Sequence, residues 1–238
     1  MLSGDTEALE SDVSRILVLS DDLPLASTIA VALRGHHHVV CLVRDTIGAM
    51  LEVDRFDPAV IIVDLAVPAA AGMHALERIR PSVTVPVITL SGRATSAEKR
   101  AAMAAGADDY LSKPFLMRDL LTIIRAAERR PSPTGTGVEK LVVTEHFTVD
   151  LDRGQVFRKG RSVSMTPTEW MLLALLLQHI GAVITEIEML SEVWGPAFGG
   201  ETFVCRAVVA QLKRKLEPDP AHPRYLLRTG DGGYRFQR

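Results

Sequence analysis

Five short apolar runs alternate with helical patterns between residues 15 and 130, and this alternation constrains the chain more than any other feature. Strands are expected at 15–19, 38–43, 59–63, 85–90 and 108–111, with helices between them and a last helix near Met117–Arg130. Runs this apolar must be covered on both faces, which is the pattern of βα units around a parallel sheet. In an open parallel sheet the C-terminal ends of the strands share one edge, and sites assemble there.

Polar groups collect at that expected edge. Asp64 ends the run Ala59–Asp64, and Ser91 follows Val85–Leu90. Lys113 and Pro114 follow the fifth run, and the acidic pair Asp21–Asp22 follows Ile16–Leu19. A carboxylate, a hydroxyl, an ammonium and a second carboxylate in one crevice suit an aspartyl-phosphate site with a divalent metal.

After residue 130 the texture changes. Pro131–Gly137 is built from Pro, Ser, Thr and Gly without an apolar period, so 131–138 is expected to be a linker. Residues 140–165 read as short β pieces with turns at Asp152–Gly154 and Arg158–Gly160. Three helices are expected next. The first opens at Thr166, with Pro167 at its first position and Glu169 completing a capping box. The second covers about 185–194 and stops at Gly195–Pro196, and the third covers about 201–217 and stops at Pro218. Two β runs around the Gly-rich turn 229–233 then form a hairpin.

On the third helix Cys205, Val209, Leu212 and Leu216 make one apolar stripe. Arg206, Ala210, Lys213 and Arg214 project on the other side, with Gln211 at its border. A basic helix face after a preceding helix, backed by a hairpin, is a winged helix-turn-helix pattern for double-stranded DNA. The net charge is −2, so any such surface is local rather than chain-wide. Cys41 and Cys205 lie far apart, without metal-type spacing, and read as reduced thiols of a cytoplasmic protein. No apolar run is long enough to span a bilayer, and residues 1–14 are an acidic stretch expected to be a disordered leader.

The motifs Ala105–Phe115 and Gly233–Phe236 carry a resemblance that covers nearly the whole chain. Residues 15–130 resemble the receiver domain of bacterial two-component response regulators, a flavodoxin-like doubly wound five-stranded α/β fold. Residues 139–238 resemble the winged-helix effector domain of the OmpR/PhoB class, and Trp194–Pro196, Ala210–Pro220 and Pro223–Arg224 look most like its KdpE branch. The resemblance implies that Asp64 accepts phosphate from a sensor histidine kinase, and that Lys113 and Ser91 bind the phosphoryl oxygens. It makes Tyr110 the aromatic that moves with Ser91. It also implies that Asp21, Asp64 and the Ala66 carbonyl hold Mg²⁺, and that the Lys113–Pro114 bond is cis. DNA would be contacted by Arg206, Ala210, Gln211, Lys213, Arg214 and Arg228. A homodimer would form through Lys99, Asp109, Asp119, Ile123 and Arg130, and RNA polymerase would be a further partner.

The chain departs from that pattern in places. Counting from Pro24 and Asp64, the family's acidic pair falls on Ser20–Asp21, so one carboxylate becomes a hydroxyl and Mg²⁺ binding is expected to be weaker. Ile123, Ala104 and Ala105 replace one ion pair of the dimer face by apolar groups. Phe203 stands where some relatives carry a phosphate-contacting arginine, and Gly230 where many carry one in the wing. Trp170 and Trp194 are expected in the core, and His36–His38 in a turn rather than a metal site, since alternating side chains cannot converge. The expected function is a phospho-switched DNA-binding regulator. One alternative is a regulator of the same fold that dimerises and binds DNA without phosphorylation. A remote one is an acyl-phosphate phosphatase, which usually has an acid two residues after its nucleophile, where this chain has Ala66.

Overall fold

The structure, a computed structural model, describes residues 13–66, 71–92, 95–128, 141–195 and 201–238. Most of the expected leader, Arg130 and the linker 131–138 lie outside the described residues.

The first domain runs β1 (Arg15–Leu19), α1 (Leu23–Gly35), β2 (Val39–Val43), α2 (Thr46–Phe56), β3 (Val60–Asp64), α3 (Ala71–Ile79), β4 (Val87–Ser91), α4 (Ser96–Ala104), β5 (Asp109–Ser112) and α5 (Met117–Glu128). The sheet order is β2-β1-β3-β4-β5 with parallel pairing throughout. The chain reverses direction across the sheet between β1 and β3, so a crevice opens beyond their C-terminal ends. Every residue of β3 and β4 is buried, as an apolar run covered on two faces requires. Local caps start the helices: the Asp22, Asp45 and Thr95 side chains accept from Leu25, Gly48 and Glu98 amides. The histidine run does form the turn into β2, with His37 at φ 68°. His38 is buried with its Nδ1 3.4 Å from the Ser14 amide, and burial lowers its pKa.

Arg80 lies between α3 and β4, and its side chain organises the approach to β5. Its guanidinium reaches Asp108 Oδ2 at 2.9 Å and the carbonyls of Val83 and Val85 at 2.7 and 3.1 Å. Gly106 sits at φ 107°, and a Cβ there would lie 2.5 Å from the Arg80 Cγ, so the position needs glycine on both counts.

The second domain begins with the antiparallel sheet β6 (Leu141–Val143), β7 (Phe147–Asp150), β8 (Gln155–Arg158) and β9 (Arg161–Ser162). Helices α6 (Pro167–Gln178), α7 (Glu186–Val193) and α8 (Phe203–Leu216) follow. The expected capping box of Thr166 and Glu169 is present, and Thr185 with Glu188 repeats it on α7. The hairpin β11 (Leu226–Arg228) and β12 (Gly233–Phe236) gains a third strand that the sequence reading did not foresee, β10 (Ile184–Thr185), paired to β12. Among the described residues no helix is long and apolar enough to cross a membrane.

The two domains share one apolar cluster. It runs from Leu17 and Val63 through Met103 and Tyr110 to Val208 and Leu172. The packing of α8 against α4 joins its two halves.

Candidate phosphoacceptor crevice and recognition helix

Asp64 is fully buried at the end of β3, and its two oxygens are both engaged. Lys113 Nζ lies 2.7 and 2.8 Å from Oδ1 and Oδ2. The Ala66 amide donates to Oδ1 at 3.0 Å, and Ser20 Oγ donates to Oδ2 at 2.8 Å. The Lys113–Pro114 bond is cis, as expected. Ser91 ends β4 at the same sheet edge and donates its hydroxyl to Glu98 Oε2 of α4 at 2.8 Å.

Hard oxygen donors for a small divalent cation are at hand: the carboxylates of Asp21 and Asp64, the Ala66 carbonyl and the Ser20 hydroxyl. Asp21 is exposed at the end of β1. Asp22 is committed elsewhere, since its Oδ1 caps α1 at the Leu25 amide, 3.1 Å away. No cluster of three or more His, Cys, Asp or Glu suited to a metal occurs among the described residues. The donor set, two carboxylates, one carbonyl and one hydroxyl, fits Mg²⁺.

Part of the face expected to pair with a second copy, around Lys99, Asp109 and Tyr110, is covered by the chain itself. Lys99 does not point at an open surface: its Nζ lies 2.9 Å from both Tyr110 Oη and Glu201 Oε1 and 4.3 Å from the Tyr110 ring centre. The Tyr110 ring stacks on Phe203 of α8, centroids 6.3 Å apart. Asp109 is buried, and that burial first, with the Asp108 and Glu201 charges beside it, pushes its carboxyl well above the ordinary range. Asp119 stays half-exposed beside Arg118, and Ile123 is half-buried against the core.

The recognition-helix candidate α8 is only partly as expected. Cys205, Val209, Leu212 and Leu216 are buried, and Arg206, Ala210 and Arg214 are exposed. Gln211 is not at the edge of an open face. It is buried, and its Nε2 donates to the Met103 carbonyl of α4 at 2.9 Å. Val204 and Val208 are buried on the same side as Gln211, at helical spacing. This second apolar row was readable in the sequence and would have signalled a helix packed on two sides. Arg206 holds Glu186 with three contacts of 2.8–3.0 Å. Burial alone would raise the Glu186 carboxyl, but hydrogen bonds from Arg206 and Thr202 with the Arg206 and Arg228 charges bring it below its usual value. Lys213 is half-buried over the Tyr234 ring, and burial lowers its pKa. Arg228 is exposed, 3.9 Å from Glu186. Trp194, expected in the core, is half-buried at the domain seam and donates its indole N–H to the Asp108 carbonyl at 3.2 Å.

Comparison with known proteins agrees with this architecture. Residues 16–125 match the response regulator receiver domain, and residues 160–236 match the C-terminal domain of transcriptional regulatory proteins. The transcriptional regulatory protein KdpE of Mycobacterium tuberculosis is 39% identical over 222 residues, 93% of this chain and 98% of that protein. The KDP operon transcriptional regulatory protein KdpE of Escherichia coli is 37% identical over 94% of this chain and 99% of its own length. A RitR mutant of solved structure has the same fold, with a TM-score of 0.72, 22% identity and coverage of 94% of this chain and 99% of that one. The matched family and the KdpE relatives are DNA-binding transcription regulators rather than enzymes, so the phosphatase alternative falls away. With both domains matched and whole-chain identity to KdpE proteins, the chain belongs to the two-component response regulators of the OmpR/PhoB type, KdpE-like regulators of transcription.

Proposed function

We propose that Asp64 is the phosphoacceptor. The observation that carries this reading is the buried Asp64 carboxylate held by Lys113 at 2.7 Å on the switch edge of the sheet. An Asp64 oxygen attacks the phosphorus of a phosphohistidine on a sensor kinase. The P–N bond breaks as the acyl-phosphate P–O bond forms, and the histidine nitrogen leaves with the electron pair. Lys113 then shifts its ammonium from the carboxylate to the phosphoryl oxygens, and Ser91 supplies a hydroxyl donor. Asp21, Asp64 and the Ala66 carbonyl would hold Mg²⁺, which when bound neutralises charge on the transferring group. Phosphorylated chains would pair through α4, β5 and α5, using Lys99, Asp109, Asp119, Ile123 and Arg130. The helix α8 would enter the major groove of double-stranded DNA, with Arg206, Ala210, Gln211, Lys213 and Arg214 at the groove and Arg228 in the wing. RNA polymerase would be the protein partner on DNA, in the cytoplasm. Residues 15–130 and 139–238 act as the two working units, joined by 131–138.

The direct test is incubation with Mg²⁺ and a small acyl phosphate, followed by intact-mass measurement. The native chain is expected to gain one phosphate, and Asp64→Asn none. An adduct that persists in the variant would place the acceptor elsewhere. The Ser20 hydroxyl on Asp64 Oδ2 favours a second reading, in which the receiver takes up phosphate poorly and DNA binding does not depend on it. Failure of the native chain to gain phosphate at saturating Mg²⁺ would favour that reading.

Ser20 also carries a metal prediction. Ser20→Asp restores a carboxylate beside Asp21 and is expected to tighten Mg²⁺ binding by roughly 10- to 100-fold. Calorimetric titration with Mg²⁺ is the measurement, and equal affinities would show that Ser20 is not at the metal.

A further inference from the structure

One carboxylate of α7 faces a cation on each of the two elements expected at DNA, the helix α8 and the wing. Glu186 is the first residue of α7, and its side chain is only 5% exposed. Arg206 Nε donates to its two oxygens at 2.9 and 3.0 Å, and Nη2 donates to Oε2 at 2.8 Å. Arg228 of β11 lies 3.9 Å from Oε1. The Cys205 thiol donates to the Glu186 carbonyl at 3.4 Å, which ties the backbone of the same residue to α8. A guanidinium is a planar fork of five N–H donors. Glu186 takes the edge made by Nε and Nη2, and Thr202 Oγ1 accepts the other Nη2 hydrogen at 3.0 Å. Nη1 has no hydrogen-bond partner among the described residues, and the Arg206 side chain is half-exposed. The edge left for a ligand is the outer one, Nη1 with Nη2.

We propose that Glu186 is a positioning residue that sets sequence specificity, holding the Arg206 fork so that its Nη1–Nη2 edge meets a guanine in the major groove. This role rests on the reading of α8 as the recognition helix. Guanine offers O6 and N7 as paired acceptors to such an edge. One of them replaces the Thr202 oxygen at Nη2, and the other is met by Nη1. A free arginine side chain gives up its rotamer freedom when it binds, and the pairing with Glu186 has removed much of that freedom beforehand. In one respect Glu186 works against DNA. A carboxylate near phosphates repels them, so its charge alone weakens binding to every duplex alike. Positioning and charge therefore predict opposite effects when the carboxylate is removed.

The test uses the full chain at one fixed salt concentration. The probes are a duplex that the native chain enriches from a random-sequence pool, its single-base-pair variants and a scrambled duplex. Arg206→Lys keeps the charge but not the fork, and it is expected to lose roughly tenfold in discrimination at one G·C pair. Glu186→Ala is expected to lose discrimination at that same pair and at no other, by a similar factor, while binding the scrambled duplex at least as tightly as the native chain. Glu186→Gln keeps the volume and an acceptor oxygen for Nε and is expected to fall in between. The double variant Glu186→Ala with Arg206→Lys should lose no more discrimination than Arg206→Lys alone. A merely structural role for Glu186 would weaken binding to enriched and scrambled duplexes together. That uniform loss overturns the proposal, as does native discrimination in both Glu186→Ala and Glu186→Gln. Arg214→Ala, further along α8, tests the helix itself. Native binding in Arg206→Lys, Glu186→Ala and Arg214→Ala together would remove α8 from the groove, and the role of Glu186 with it. A native result at Glu186 alone, with losses at Arg206 and Arg214, overturns only the positioning role.

Discussion

Glu217→Ala is expected to unfold the effector domain preferentially, at a cost of about 2–6 kcal/mol. Glu217 is buried just past the end of α8. Its Oε1 accepts from the Tyr225 and Leu226 amides at 3.0 and 2.7 Å, and its Oε2 accepts from the Arg224 amide at 2.8 Å. One side chain thus fastens the end of the recognition helix to the first strand of the hairpin. Alanine leaves two buried amide donors without partners, and each costs roughly 1–3 kcal/mol. Urea unfolding followed through Trp170, which lies in that domain's core, checks the size of the loss. Glu217→Gln retains one acceptor oxygen and should recover part of it. A midpoint unchanged by the alanine exchange would mean that the three amides find other acceptors.

Arg80→Met is expected to be as costly for the receiver, about 3–5 kcal/mol, because it strands a buried carboxylate. The Arg80 and Asp108 side chains are 13% and 5% exposed, and Asp108 Oδ2 also accepts from the Val87 amide at 2.9 Å. Methionine fills the same space but supplies no charge. Asp108→Asn in the Arg80→Met background should recover a large part of the loss, since the uncompensated charge is then gone. A double variant no more stable than Arg80→Met would show that the hydrogen bonds of Arg80 to the Val83 and Val85 carbonyls matter more than its pairing with Asp108.

The receiver was legible because its signals are local. Apolar runs fix the strands, and Asp64, Ser91 and Lys113 each follow a run directly, so strand direction alone gathers them at one edge. The winged helix was legible for the same reason, through the Thr166 cap and the stripe Cys205–Leu216. What escaped was the contact between the halves. Gln211 and Trp194 are polar enough for a surface and apolar enough for a core, and only the partner helix decides between them. Lys99, expected on the dimer face, meets Glu201 within the chain, 102 residues away. Nothing in a periodic pattern encodes which of two acids a lysine meets. β10 escaped too, because a pair of residues is too short to show alternation.

The docking of α8 on α4 has a consequence for how this protein responds to its own abundance. Both surfaces belong to one chain, so their association is independent of concentration, whereas engagement of the same face by another molecule is not. A competitor in trans works against an effective local concentration that for tethered partners is on the order of millimolar. The isolated receiver should therefore self-associate at lower concentrations than the whole chain, and the gap between the two measures how firmly the tethered helix holds its place.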